Sequence, residues 1–410
     1  MSKKLLIVVG TSCAGKTTFA KQYARENQGI YLNFDVLFDY QAKTSDFEKL
    51  ANKLQSLIQD SGKILFVLDG FIAMGNTPLT IASLQNKLGI DVQLCLCFAA
   101  PHIVHQRQRY KAQDLLRSAP ITKEVITDTT ESLFFTLVSI DDNPILVDTT
   151  HSTSEVIDLK TFPQRWRELL FLSSLDKMPH DRYYQDIELP SGIYMKGYSD
   201  SAKTWERLSS IINFSGRTVL DMGCFHGFFS FKVEEAGART VVGTDKDDRA
   251  IQIARLISWL KNSKVSFQQS NIENLVLEQV YDIVLVLNML HYTTKIDTAL
   301  QNIFRSGNLI VFEIPVEQRD IISKWAAQAG FQLATETGSH RSERIILTFK
   351  NPQSTTNLTE TPQKYKFSKT HYKFQSFVQA IKNLKIVYPI KYIVRKYRQH
   401  HRGKTNSNAS

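Results

Sequence analysis

The stretch Val219-Leu220-Asp221-Met222-Gly223-Cys224-Phe225-His226-Gly227-Phe228-Phe229 decides how the second half of this chain folds. A short apolar run ends in a carboxylate, two glycines follow four positions apart, and residues able to continue as a helix come next. Strand, tight turn and helix start in that order place backbone N–H groups and a helix N-terminus against a polar or anionic ligand. The spacing is not that of the dinucleotide fingerprint G-x-G-x-x-G, because Cys224 occupies the middle glycine position.

Outward from this turn, strand-like runs at Thr218–Leu220, Thr240–Gly243, Val265–Gln268, Asp282–Leu287, Asn308–Phe312 and Arg344–Phe349 alternate with helical stretches such as Asp248–Lys261 and Glu317–Ala329. Near-continuous apolar strands with helical crossovers predict a parallel sheet covered on both faces. Asp245 follows the second of these strands, 24 positions after Asp221, where a carboxylate can accept both hydroxyls of a ribose.

The same alternation fills the first part of the chain, with strands at Leu5–Val9, Ile30–Phe34, Ile64–Leu68, Val92–Phe98 and Pro144–Val147 and helices at Lys16–Glu26, Phe47–Gln59 and Leu79–Leu88. Between its first strand and first helix, Gly10-Thr-Ser-Cys-Ala-Gly15-Lys16-Thr17 satisfies G-x-x-x-x-G-K-[ST]. Gly10 and Gly15 let backbone N–H groups curl around a β-phosphate, and Lys16 can reach the β- and γ-phosphates. Thr17, followed by Thr18, brings a hydroxyl to Mg2+. Asp69, in Phe66-Val-Leu-Asp69-Gly70, stands where a second Mg2+-side or substrate-facing acid would be.

The first part resembles the small-molecule branch of P-loop kinases, including shikimate kinase-like and chloramphenicol phosphotransferase-like enzymes. That resemblance implies ATP with Mg2+ as cofactor. It makes Asp35 the carboxylate that orients or deprotonates an acceptor hydroxyl, unless Asp35 simply caps a helix. Arg107-Gln-Arg109-Tyr-Lys111 looks like the start of an arginine-bearing lid, so Arg107 and Arg109 would neutralise charge on the transferring phosphoryl group, or else be solvated helix residues. Arg117 is the only other nearby candidate for such a lid, and Val147-Asp148-Thr149-Thr150 resembles the family's adenine-side loop.

Around Asp221, the sequence resembles motif I of class I S-adenosylmethionine-dependent methyltransferases, whose common form is L-D-x-G-C-x-x-G. The resemblance implies S-adenosylmethionine held by Gly223, Cys224, Gly227 and Asp245, with Asp221 ordering the loop or meeting the cofactor ammonium. Ser270-Asn271-Ile-Glu273 would put Asn271 beside the adenine. Asn288, His291 and Tyr292, after the fourth strand, would face the substrate; His291 reads equally as catalytic or as structural. Upstream, Tyr183-Tyr184-Gln185 through Gly192 and Trp205 look like the lead-in of a branch that includes wobble-uridine tRNA-modifying enzymes, and Ser339-His340-Arg341-Ser-Glu-Arg344 resembles its basic element before the last strand.

The chain has 410 residues, 42% hydrophobic and 22% charged, which excludes global disorder. No apolar run approaches the roughly 20 residues that cross a bilayer. Lys3-Lys4 before Leu5–Val9 imitates a signal peptide, yet the apolar run is short and leads straight into the glycine turn. Four cysteines are too few for a disulfide scaffold, so a cytoplasmic, reduced protein is expected. The net charge of +10 is uneven: residues 351–410 hold 12 Lys/Arg and one acid, Glu360, whereas the rest carries 38 basic and 39 acidic groups. After a polar linker at Asn351–Thr361, Phe374, Phe377, Val378, Ile381 and Leu384 fall at helical spacing among lysines. Residues 364–404 could thus meet RNA, stacking bases on Tyr365, Phe367 or Tyr372, or rest peripherally on the anionic inner membrane surface, or dock on the body.

These readings predict an α/β chain of two doubly wound sheet domains and a basic helical tail: a P-loop kinase-like domain at 1–165, a Rossmann-like class I methyltransferase domain at 166–350, and linker plus tail at 351–410. The expected function is a bifunctional enzyme with an ATP-binding kinase-like half and a methyltransferase half acting on a small molecule or glycan. Two alternatives stand beside it, an RNA (tRNA) modification enzyme that binds RNA through its tail and a nucleotide-regulated binding protein with one inactive half. Oligomeric state is left open.

Overall fold

The computed structural model describes residues 2–37, 47–70, 77–115, 121–141, 144–175, 184–276 and 279–353, which form two compact units, 2–175 and 184–353. Arg117, Tyr183 and the predicted amphipathic tail, Phe374 to Leu384 included, lie outside the described residues.

In the first unit the order is β1 (Lys4–Val9), α1 (Lys16–Glu26), β2 (Ile30–Asn33), α2 (Phe34–Leu37), α3 (Phe47–Gln59), β3 (Leu65–Asp69), α4 (Thr77–Leu88), β4 (Asp91–Phe98), α5 (Pro101–Leu115), α6 (Lys123–Ile140), β5 (Ile145–Asp148), β6 (Glu155–Ile157) and α7 (Phe162–Leu175). The sheet runs β2-β3-β1-β4-β5-β6, parallel except for β6. Leu5 to Val8 on β1 and Leu94 to Phe98 on β4 are buried throughout, as strands covered on both faces must be. β2 stops one residue earlier than its apolar run, because the Asn33 side chain accepts the Val36 N–H at 3.1 Å and turns the chain into α2.

The predicted boundary at 165/166 is corrected by α7, which crosses it and belongs wholly to the first unit. Arg165 pairs with Asp148 at the end of β5 at 2.6 Å, and the Trp166 ring stacks on Phe162 and meets Phe98 of β4 edge-on. Burying these rings against the first sheet outweighs any local break in the sequence.

The second unit begins with a small hairpin, β7 (Ile187–Glu188) and β8 (Tyr194–Met195), and continues α8 (Ser201–Ile211), β9 (Thr218–Met222), α9 (Phe228–Glu235), β10 (Thr240–Asp245), α10 (Asp248–Lys261), β11 (Ser266–Gln269), β12 (Tyr281–Leu287), α11 (Ile296–Ser306), β13 (Gly307–Pro315), α12 (Arg319–Gln328), β14 (Gln332–Gly338) and β15 (Arg344–Lys350). Its seven strands are ordered β11-β10-β9-β12-β13-β15-β14. β15 inserts antiparallel between β13 and β14, since the connection from β14 is too short for a parallel crossover. One core under the sheet joins Leu220, Val284, Ile310 and Leu347 to Ile303 and Phe304 of α11 and Ala326 of α12. The order reverses between β9 and β12, and at such a switch point the loops at the carboxyl ends of the strands part into a crevice.

Candidate functional site

At that crevice lies a cavity of about 320 Å3. Met222 and Gly223 end β9, Thr244 and Asp245 end β10, and Leu287 to Met289 end β12; all line it. Asp245 holds its wall by two bonds, its Oδ2 accepting Phe225 N–H at 3.0 Å and its Oδ1 accepting Asp247 N–H at 2.9 Å. Each oxygen keeps a further lone pair able to accept a hydrogen bond. Burial raises the Asp245 carboxyl above its ordinary range. Phe225 and Asn288, both on the wall, sit at φ of 50° and 52°, a left-handed conformation that a non-glycine residue adopts only where its surroundings hold it. Asn288 donates to the Tyr184 hydroxyl at 2.6 Å, so the segment before the hairpin helps close the cavity.

The structure sorts the residues singled out above. Gly223, Asp245, Asn271, Asn288 and Tyr292 line the cavity. Asn271 stands there as the cap of a short helical turn, accepting Glu273 N–H at 3.0 Å. Asp221 does not reach the cavity: it is buried, accepts the Ser230 hydroxyl at 2.6 Å, and its carboxyl is pushed up to about 7 by burial. Of its two expected roles, ordering the turn is the one its position allows. Cys224 is corrected likewise, since its thiol is buried beside Gly243 rather than in the cavity. Gly227 is also displaced from ligand contact: at φ 85° it begins α9, and a Cβ there would meet the Phe267 ring at 2.6 Å. Close packing, not cofactor approach, requires the glycine. His291 is the main correction among catalytic candidates, for it is exposed outside the cavity with its ring against Tyr292, and partial desolvation by its neighbours, with Arg344, lowers its pKa.

Sequence reasoning missed Glu313, a buried carboxylate at the end of β13, and its contacts with Thr204 and Ser339. A charge closing the apolar run Leu309–Phe312 was the available signal.

The first unit carries a second cleft, at the end of β1. Gly15 begins α1 at φ 80°, where a Cβ would meet Thr149 at 2.9 Å, so the loop can only pass this close as glycine. Lys16 Nζ donates to the carbonyls of Gly10 and Thr11 at 3.0 and 2.9 Å. Burial lowers the Lys16 pKa, opposed by nearby Asp69. Asp69 accepts the Tyr31 hydroxyl at 3.1 Å on Oδ2, and its buried Oδ1 has no hydrogen-bond partner among the described residues. Gly15, Lys16, Thr17, Thr18, Asp35, Asp69 and Arg107 all line the cleft. Asp35 is not a helix cap, since Asn33 has that place. Arg107 reaches the Thr149 carbonyl at 2.6 Å, and burial lowers its pKa. Arg109 is exposed and does not line the cleft, because helical periodicity turns it away from Arg107. Gly10 lies behind the cleft against Cys97 of β4.

A mostly parallel sheet with an acid closing its second strand and a cavity at its switch point is an arrangement able to hold a nucleotide-type ligand. Residues 213–345, within the second unit, match the family model of a methyltransferase domain. The chain is 38% identical over 80 residues to a ubiquinone biosynthesis O-methyltransferase from Nitrosospira multiformis, covering 19% of this chain and 33% of that protein. It is 30% identical over 110 residues to a ribosomal protein L11 methyltransferase from Dictyoglomus thermophilum, covering 27% and 36%. Thus the chain spans about a third of the length of these curated relatives. A solved S-adenosylmethionine-dependent methyltransferase from Mesorhizobium loti is 15% identical, with a TM-score of 0.32, covering 37% of this chain and 99% of that one. Among the described residues no helix is long and apolar enough to cross a membrane.

Proposed function

We propose that the chain is a two-site transferase, with S-adenosylmethionine-dependent methyl transfer to a small molecule or glycan in the second unit and Mg2+-ATP binding with phosphoryl transfer in the first. The observation that carries the first half is the placement of Asp245, with lone pairs to spare, at the carboxyl end of β10 on the wall of the switch-point cavity. When bound, S-adenosylmethionine supplies an electrophilic methyl group. The chain's own part is to orient and to exclude water. Asp245 takes the ribose hydroxyls, Asn271 and Ile272 flank the base, and Tyr184, Phe225, Phe229, Met289 and Tyr292 make an apolar wall for an acceptor. That wall supports a small acceptor. The relatives' names point to different ones, ubiquinone biosynthesis in one case and a ribosomal protein in the other.

For the first unit, support comes from the buried Asp69 Oδ1, without a hydrogen-bond partner among the described residues and so a seat for a cation or its water, and from Lys16, whose contacts to loop carbonyls hold it at the phosphate position. Thr17 offers the hydroxyl for Mg2+, Asp35 faces the acceptor side, and Arg107 can meet charge on the transferred group.

Two measurements test the reading. Calorimetric titration of the full chain should find one site for S-adenosylhomocysteine and a separate one for Mg2+-ATP, each unaffected by the other ligand. Incubating cell extract with the chain and methyl-labelled S-adenosylmethionine should place the label in the low-molecular-weight or glycan fraction. Label found only in nuclease-sensitive material would replace this acceptor class with RNA, and absence of S-adenosylhomocysteine binding would remove the methyl-transfer reading.

A further inference from the structure

The glycine turn between β1 and α1 is held by two side chains that lie outside its sequence motif. Gln108 on α5, 8% exposed, donates from Nε2 to the Ser12 carbonyl at 3.1 Å. A carbonyl only accepts, so this contact fixes which end of the carboxamide faces the turn. The other end, Oε1, is buried without a hydrogen-bond partner among the described residues, a cost that an apolar side chain there would avoid. Thr149, just past β5, donates its hydroxyl proton to the Ala14 carbonyl at 2.8 Å, sharing it with the Phe98 carbonyl at 3.1 Å. Arg107 braces Thr149 in turn, reaching its carbonyl at 2.6 Å and its hydroxyl oxygen at 3.4 Å.

Peptide planarity turns these contacts into a statement about donors. The peptide bonds of the turn are trans, and a trans unit points its C=O and its N–H in opposite directions. With the Ser12 C=O drawn to Gln108, the Cys13 N–H points away from α5. With the Ala14 C=O drawn to Thr149, the Gly15 N–H points away from the end of β5. Neither N–H meets an acceptor among the described residues, whereas the Ala14 N–H is spent on the Thr11 carbonyl at 3.2 Å. Cys13 and Gly15 both line the cleft, at φ of 65° and 80°. Nearby N–H groups on a chain that enters the left-handed region make a concavity for an anion. A cysteine keeps that conformation only where its surroundings impose it, and the Gln108 bond to the preceding carbonyl is such a constraint.

We propose that Gln108 and Thr149 are positioning residues for a polyphosphate, setting the two peptide planes that aim the Cys13 and Gly15 N–H groups at its oxygens. The inference rests on the Mg2+-ATP reading of the first unit given above. Each side chain acts through the carbonyl it holds, so its loss is felt by the phosphate oxygens through the backbone.

The test uses the full chain labelled with 15N-cysteine, whose amide signals come from Cys13, Cys95, Cys97 and Cys224, with Cys13 assigned by its loss in C13S. Sodium tripolyphosphate is the probe. In the wild type it should move the Cys13 signal downfield, as a newly made hydrogen bond does, and leave Cys224 in place. Q108M keeps the side-chain length and removes the donor; the Cys13 response should shrink while Cys95, on β4, keeps its position and so reports an intact first sheet. Q108M and T149V should each bind Mg2+-ATP about 10-fold or more weakly, and T149S, which retains the hydroxyl, should recover most of that loss. Should Q108M displace Cys95, the contrast of T149V with T149S decides. Unchanged Mg2+-ATP affinity in Q108M or T149V, a Cys13 response in Q108M equal to the wild type's, or T149S as weak as T149V would each overturn the proposal. A wild type that binds neither Mg2+-ATP nor tripolyphosphate would instead mark failure of the reading beneath it.

Discussion

The Asp245 carboxylate accepts the backbone N–H of Phe225 at 3.0 Å, tying the end of β10 to the turn that follows β9. One side chain thus shapes the turn and lines the cavity. Asp245→Ala should weaken S-adenosylhomocysteine binding by roughly 10- to 100-fold, the worth of hydrogen bonds to a charged group. Asp245→Asn, which retains one acceptor oxygen, should lose less. Unchanged affinity in both variants, read by calorimetry, would show that the carboxylate has no part in binding.

Asp221 links the turn to pH. Its folded carboxyl, pushed up to about 7, lies above the ordinary value of about 3.9 of an unfolded chain. Between those limits the folded state holds the extra proton, so the contribution of Asp221 to stability is fully present below about pH 4 and is lost as pH rises through about 7. Asp221→Asn keeps an acceptor for Ser230 and removes the ionisation. The wild-type Tm should therefore drop relative to the variant's as pH rises from about 5 to about 8, and parallel curves would contradict the assignment.

Gly227→Ala forces a Cβ into the Phe267 ring at a left-handed position. Backbone strain and overpacking together should cost about 3 kcal/mol, seen as a lower midpoint in urea without a change in slope.

Lys16 Nζ is held against the Gly10 and Thr11 carbonyls, at the position proposed for a phosphate. Lys16→Ala should weaken fluorescent ATP analogue binding by roughly 10- to 100-fold and leave S-adenosylhomocysteine binding unaltered. Loss of both would mean the two sites are coupled.

His291 stands outside the cavity. His291→Ala should leave methyl transfer within about threefold of wild type. A larger loss would return His291 to the chemistry.

Much of the fold was legible because buried parallel strands leave unbroken apolar runs. The ends of α1 and α10 fall where their patterns put them, at Lys16–Glu26 and Asp248–Lys261. By contrast, β14 was not foreseen, since an edge strand reading Gln332-Leu-Ala-Thr-Glu-Thr-Gly338 buries too little to carry an apolar signature. α7 was split between domains because its Trp166 and Arg165 find their partners, Phe98 and Asp148, far back in the chain.

By itself, the sequence determined the two strand–turn–helix sites, because glycine spacing and a closing lysine or acid are local constraints on one short piece of backbone. Only the tertiary structure decided which of the marked residues face a ligand. Asp221, Cys224 and Gly227 turn inward to pack, His291 and Arg109 point away, and Glu313 and His340, 27 positions apart, meet at one wall. That choice depends on which strand lies beside which, and it arises only when the sheet closes and long-range neighbours compete for the same space.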